Sequence, residues 1–234
     1  MSLAVFIRSF LPHKSNTPLL EKVRSGIAGG IAIFLLAWAL YTLPQYSYPL
    51  LLLSSMAASA VLLFAAPHSP FAQPWNLVGG HFVSALAGWL VSLLIPDQSI
   101  AAGVAVGAAI FLMHSLNCLH PPGAATALTL VLASNQFHEM GWQWVALILI
   151  ANVFISLLLA LLINNMLPSR HYPARVLAPT HPKIEPVVTP EVLDIAWAVK
   201  QMDGVIDVSV EDLADIYAKA HAHARDRLDV QLKK

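Results

Sequence analysis

Cys118-Leu119-His120-Pro121-Pro122-Gly123-Ala124-Ala125-Thr126-Ala127-Leu128 is a polar, proline-broken interruption with uncharged apolar sequence on both sides. Such a run reads as part of a buried structure and not as a surface loop. Pro121 and Pro122 remove two backbone donors and force an extended approach, which suits the first turn of a new helix. His120, immediately before them, can hydrogen-bond or titrate. Gly123, Ala124, Ala125 and Thr126 are small enough to leave the free N–H groups of that helix end open to a ligand. A proline-started core helix preceded by a structural histidine fits the same residues, so the flanking sequence has to decide.

Moving outward, the chain is 57% hydrophobic and only 11% charged over 234 residues, well under the quarter usual for soluble domains. The placement of charge is more telling. From Ser25 to Ser169 there is no Lys or Arg, and the acids are Asp97 and Glu139 alone. Residues 24–167 therefore form a membrane domain, preceded by an N-terminal segment 1–23 and followed by a linker and helical tail 168–234. Basic residues flank it, Arg8, Lys14, Lys22 and Arg24 before and Arg170, Arg175 and Lys183 after. The positive-inside rule then puts both ends in the cytoplasm and makes the number of crossings even.

Inside the domain the pattern is all-α, a polytopic helix bundle. Six apolar segments cover about 24–43, 48–66, 76–95, 98–116, 121–134 and 142–166. Spanning takes about 20 residues, so five are long enough and the fifth is short. Proline, Asp97 and the run Asn135 to Gly141 separate them. Either six crossings result, or four with two re-entrant segments beginning near Ser54 and Pro121. Small residues at Gly26, Gly29, Gly30, Ala85, Gly88, Gly103 and Gly107 predict helix contacts. A faint repeat aligns Ala28–Leu36 with Ala105–Met113 at an offset of 77, and Ala58–Leu62 with Ala125–Thr129 at an offset of 67. Two three-segment halves of opposite orientation would set a site near the midplane, at broken helices in matching positions. Those positions are Ser54 to Ser59, which include Ser55 and Ser59, and His120 to Thr126. Chance similarity among Ala/Gly/Leu-rich helices is the alternative.

The ends say less. Residues 1–12 lack a cleavage pattern and do not read as a signal peptide; a surface helix with Leu3, Phe6, Ile7 and Phe10 toward lipid is compatible with them. Pro168 to Pro190 reads as an extended linker, after which Pro190 to Gln201 and Ser209 to Leu228 have helical patterning. Leu213, Ile216, Tyr217, Ala220, Ala224 and Leu228 make one apolar stripe that needs a partner. Cys118, the lone cysteine, reads as a packed hydrophobe. Net charge near zero gives no sign of nucleic-acid binding.

Polar residues at membrane depth are expensive and default to functional candidates. Here they are His81, Ser84, His114, Asn117, His120, Thr126 and Asn152. A metal site lacks cysteine clusters and intramembrane carboxylates, and neither a base–orienter pair nor a nucleophile elbow or Walker loop supports an enzyme. No metal, no cofactor and no catalytic residue is expected.

The quoted stretch also carries a family resemblance. His120-Pro121-Pro122, the blocks Ala57 to Ala65, Pro67, Ser69-Pro70, Ala72-Gln73-Pro74-Trp75, Gly79-Gly80-His81 and Ser84 to Gly88, and Asn152 resemble the signature blocks of the HPP family of integral membrane proteins, in order, over about residues 25 to 167. Two departures stand out: Ala57-Ala58-Ser59 where the family is expected to have Gly-Ala-Ser, and Gly79-Gly80-His81 where it often has Gly-Gly-Asn. The resemblance implies a channel or secondary transporter for a small inorganic anion, with nitrite the best-supported substrate, in a bacterial inner membrane and as a homo-oligomer. The tail is too short for the paired nucleotide-sensing CBS modules of some relatives, so no adenine-nucleotide regulation is expected. The substrate-binding set expected is His120, Gly123, Ala124, Ala125, Thr126, Ser55, Ser59, His81, His114, Asn117 and Asn152. With no cation in the membrane region, helix N-termini, hydroxyls and histidine must hold the anion. That expectation links transport to protons through His120. A non-transporting membrane scaffold or sensor, whose cytoplasmic tail binds a partner, is the competing reading.

Overall fold

Proline, asparagine and glycine mark nearly every boundary in this chain. The computed structural model describes residues 10, 17–42, 51–168, 170–174, 213 and 217. The helices are α1 (Leu19–Thr42), α2 (Ser55–Ala65), α3 (Pro74–Leu94), α4 (Gln98–Ser115), α5 (Pro121–Leu132), α6 (Ser134–Met140) and α7 (Trp142–Met166), with a 3₁₀ turn at Pro70–Ala72. Among the described residues there is no strand. Pro74 and Pro121 stand at the first positions of α3 and α5, where a missing N–H costs nothing. Asp97 caps α4 by accepting from Ile100 N at 2.8 Å. Asn117, at φ +52°, turns the chain away from α4, and Gly141, at φ +83°, separates α6 from α7.

Four helices, α1, α3, α4 and α7, are long and apolar enough to cross a membrane. At 1.5 Å per residue, the 11-residue α2 and 12-residue α5 reach only about 16–18 Å, roughly half of a 30 Å hydrocarbon core. The apolar segment 48–66 is therefore not a spanning helix, contrary to its length. Leu51 to Ser54 stay out of helix because another chain segment satisfies their backbone. Asn152 of α7 accepts from Leu53 N at 3.0 Å and donates to Leu51 O at 2.7 Å. Irregular backbone survives at membrane depth only when protein groups replace the missing helical bonds. A second difference is that Asn135–Gly141, expected as a plain connection, falls largely within α6. His138 of that helix packs edge-on against Trp89 and lies 3.0 Å from Ser92 Oγ.

α3 is the central element. One apolar cluster joins α1, α2, α7 and a face of α3 through Leu36, Leu63, Phe64, Leu77 and Ile148. The other packs α3 against α4 and α5 through Ala87, Ala101, Ala105, Ala109 and Ala127. Those small side chains bring the helix backbones close. Gly88 obeys the expectation for small residues, since a methyl there would lie 2.5 Å from Ala127 O. Gly26, Gly30, Gly103 and Gly107 do not: a methyl on any of them meets nothing within 4 Å. The inward face of α4 is its alanine row instead.

At one end of the bundle, Arg170 is 5% exposed and ion-paired with Glu21 of α1. It also donates to Ser25 Oγ at 2.9 Å and Asn164 Oδ1 at 3.2 Å, while Asn164 donates to Leu63 O at 3.0 Å. Residues 170–174, at the start of the expected linker, are thus clasped to the membrane domain. Tyr172 donates its hydroxyl to Ala72 O at 2.8 Å, and Ala174 N donates to Gln73 Oε1 at 2.9 Å. Burial raises the pKa of the Tyr172 phenol above its ordinary range, so it stays a neutral donor. Of the tail, all but Leu213 and Tyr217 lies outside the described residues, as does the N-terminal surface-helix reading apart from Phe10.

Candidate functional site

Where α2 and α5 begin, their polar side chains converge on the middle of α3. Ser59 Oγ lies 2.9 Å from His81 Nε2 and 2.9 Å from His120 Nε2, and the two rings meet edge to face with centroids 4.9 Å apart. On the far side of His81, Nδ1 is 2.7 Å from Thr126 Oγ1, which is 2.8 Å from Ser55 Oγ. His120 Nδ1 donates to the carbonyl of Phe71, at 2.8 Å. Ser55, Ser59, His81, His120 and Thr126 are all buried. The charged side chains among the described residues are Glu21, Lys22, Arg24, Asp97, Glu139 and Arg170, and none bonds to this cluster.

Close backbone approach makes the convergence possible. A methyl on Gly80 would lie 2.5 Å from His120 Cβ, and one on Gly123 would lie 2.7 Å from Gly80 O and 2.8 Å from Ser84 Oγ. Only glycine at both positions lets the start of α5 press on α3. Ser84 Oγ, fully buried at this contact, has no hydrogen-bond partner. Such a group is uncommon in a folded interior.

The two short helices leave the cluster in opposite directions. Trp75 Nε1 donates to Leu116 O, so the start of α3 and the end of α4 share one end of the bundle; Tyr172 brings the end of α7 there too. Leu63, late in α2, is bonded to Asn164 near that same end. Leu132, the last residue of α5, instead accepts from Gln98 at the start of α4, at the opposite end.

Sequence reasoning brought His120, Thr126, Ser55, Ser59 and His81 onto one list, and the fold puts them in one hydrogen-bonded cluster. Gly123 forms its floor, while Ala124 and Ala125 are half-buried on the first turn of α5. Asn152 is bound to the backbone of residues 51–53 and to Ile148 O, away from the histidines. His114 and Asn117 are exposed at the α4–α5 turn and do not join. The Phe71 carbonyl escaped notice because no side chain advertises it, and Arg170 because its partners lie as far as 149 residues away.

The family model described as HPP, transmembrane region, matches residues 14–173. Two curated relatives from Dictyostelium discoideum, each named only as a transmembrane protein, are 39% identical over 153 residues and 40% identical over 126 residues. These matches cover 64% and 52% of this chain, and 49% and 44% of the relatives. The chain thus spans about half the length of the curated relatives it matches. No solved structure matches it.

Proposed function

Because this chain belongs to the HPP family of multi-pass membrane proteins, we propose that it passes a small inorganic anion, nitrite, across the bilayer at the Ser59–His81–His120 cluster, as a channel or secondary transporter. The observation that carries the reading is the meeting of two half-length helix starts at one buried, charge-free polar cluster. Each helix N-terminus presents roughly half a positive charge. Two together approach the single charge of the anion, and neither needs a lysine or arginine. Ser55, Ser59, Thr126 and the unpartnered Ser84 supply hydroxyls, and the histidines add a positive charge when protonated.

The order long, short, long occurs twice, in α1, α2, α3 and in α4, α5, α7. With α2 and α5 running oppositely, this supports the inverted-repeat reading, in which sites form where broken helices meet near the midplane. The present contacts, all 2.7–2.9 Å, leave no room for an anion among them. Loading requires α2 and α5 to part, with the anion taking over bonds that the hydroxyls and imidazoles now make to one another. The open glycine faces of α1 and α4 support the homo-oligomer. Clustering of Lys22, Arg24 and Arg170 at one end supports cytoplasmic termini.

Proteoliposomes containing the full chain test this directly. Nitrite should enter faster than into protein-free vesicles, with the excess lost in Gly123→Leu, which fills the floor of the cluster. Flux no higher than in protein-free vesicles would overturn the reading and favour the scaffold or sensor.

A further inference from the structure

Proton counting around the cluster leaves one arrangement. The Phe71 carbonyl can only accept, so His120 Nδ1 carries a proton, and the neutral ring has a bare Nε2. Ser59 must supply that nitrogen with its single hydroxyl proton. The rival acceptor, Ser55 O, is farther at 3.2 Å, and choosing it would leave a buried imidazole nitrogen unpaired. Ser59 Oγ can then only accept from His81, whose proton is therefore on Nε2. Its bare Nδ1 takes the Thr126 hydroxyl proton across 2.7 Å; Thr126 Oγ1 and Ser55 Oγ are 2.8 Å apart, and with its own proton so committed Thr126 is left to accept the Ser55 proton, which the two hydroxyl rotors allow. Every donor points the same way, from Ser55 to Phe71, and the two histidines have opposite tautomers.

Such a chain can transmit a proton without moving any heavy atom. A proton delivered by water to Ser55 Oγ releases the Ser55 proton to Thr126, whose own proton passes to His81 Nδ1. His81 then yields its Nε2 proton to Ser59, which yields its own to His120 Nε2. Each O–H or N–H bond broken is matched by one formed, and the net result is one proton taken up at Ser55 and one held on His120. The groups facing the rings are Ser55 and Ser59 of α2, His81 and Ser84 of α3, Thr126 of α5 and the Phe71 carbonyl. Nearby Cys118 and Tyr172, the other titratable groups, make no bond to the chain.

We propose that Ser55, Thr126, His81, Ser59 and His120 form a polarised proton relay that loads His120 from the Ser55 end, so that the anion binds together with a proton. The inference rests on the cluster being the transport site. In the full chain in lipid bilayers, with histidine ¹⁵N-labelled, nitrogen spectra at pH about 8 should show His81 protonated on Nε2 and His120 on Nδ1, assigned with His81→Asn and His120→Gln. As the pH is lowered from there, the step at which His120 takes a second proton should leave His81 neutral with its proton moved to Nδ1. Thr126→Val should abolish that move, since Nδ1 would have no acceptor, and Thr126→Ser should restore it. The relay is overturned if His81 keeps its proton on Nε2 once His120 is doubly protonated, if both rings share one tautomer at pH 8, or if His120 gains no second proton. The readout is a ring nitrogen and not a flux. A protein that switches His81 yet moves no nitrite would overturn the nitrite reading and leave the relay standing.

Discussion

Asn152 holds Leu53 from across the bundle, accepting its N–H at 3.0 Å with one end of an amide whose other end donates to Leu51 O. A single side chain of α7 thus stands in for the helical turn that residues 51–54 lack. Replacing it with Leu should leave the buried Leu53 N–H unpaired, at about 1–3 kcal/mol, and the part-buried Leu51 carbonyl without its partner, at less. Thermal unfolding in detergent should fall accordingly. Asn152→Asp keeps the acceptor for Leu53 N but sets a carboxyl oxygen against the Leu51 and Ile148 carbonyls, so it should not recover the loss; a melting curve of Asn152→Leu matching wild type would remove Asn152 from this role.

The Glu21–Arg170 pair gives a second expectation. Glu21→Ala leaves a guanidinium buried with only Ser25 and Asn164, and breaking a buried pair on one side costs about 3–5 kcal/mol. Because Glu21 is 22% exposed, the lower figure applies. The double change Glu21→Ala with Arg170→Met should recover part of the loss, which a double-mutant cycle of melting temperatures measures.

Glycine positions separate by what surrounds them. Gly80→Ala would set a methyl 2.5 Å from His120 Cβ and 3.0 Å from Cys118 O, forcing α5 off α3 and depressing both transport and stability. Gly103→Ala meets open space and should gain up to about 1 kcal/mol of helix propensity. Equal effects of the two in a thermal shift assay would contradict the packing described.

Transport should also depend on pH through His120. Protonation adds positive charge beside the anion, so nitrite uptake should rise as pH falls. His120→Gln keeps a hydrogen bond without a titrating charge and should flatten that profile. His81→Asn can still donate to Ser59 and accept from Thr126 but cannot hand a proton on, so uptake should persist with its pH profile flattened. An unchanged pH profile in His120→Gln would return His120 to a purely structural role.

Much of this was legible in the sequence, and the reason differs by element. α7 and α4 announced their limits through Gly141 and Asp97, which are local signals. Pro121 likewise marked α5, and its small first turn pointed to the histidine in front of it. The start of α2 near Ser54 came only as one of two alternatives, because it is decided by Asn152, about 100 residues later, and no local pattern within 48–66 records that. His114 failed for the opposite reason: it is near His120 in sequence, but the left-handed turn at Asn117 sends the two to different surroundings. The pairing of His81 with His120 through Ser59 required three helices to be placed at once.

The 3₁₀ turn Pro70–Ala72 offers two adjacent carbonyls to two different masters. Phe71 O holds His120 in the site, and Ala72 O holds Tyr172, just beyond the last membrane helix. The turn therefore works as a fulcrum between the buried imidazole and the stretch of chain just beyond α7. Any pull on the chain at Tyr172 reaches its first fixed anchor one residue from the carbonyl that sets the tautomer of His120, so force applied to the tail and charge stored in the membrane are registered on the same short lever.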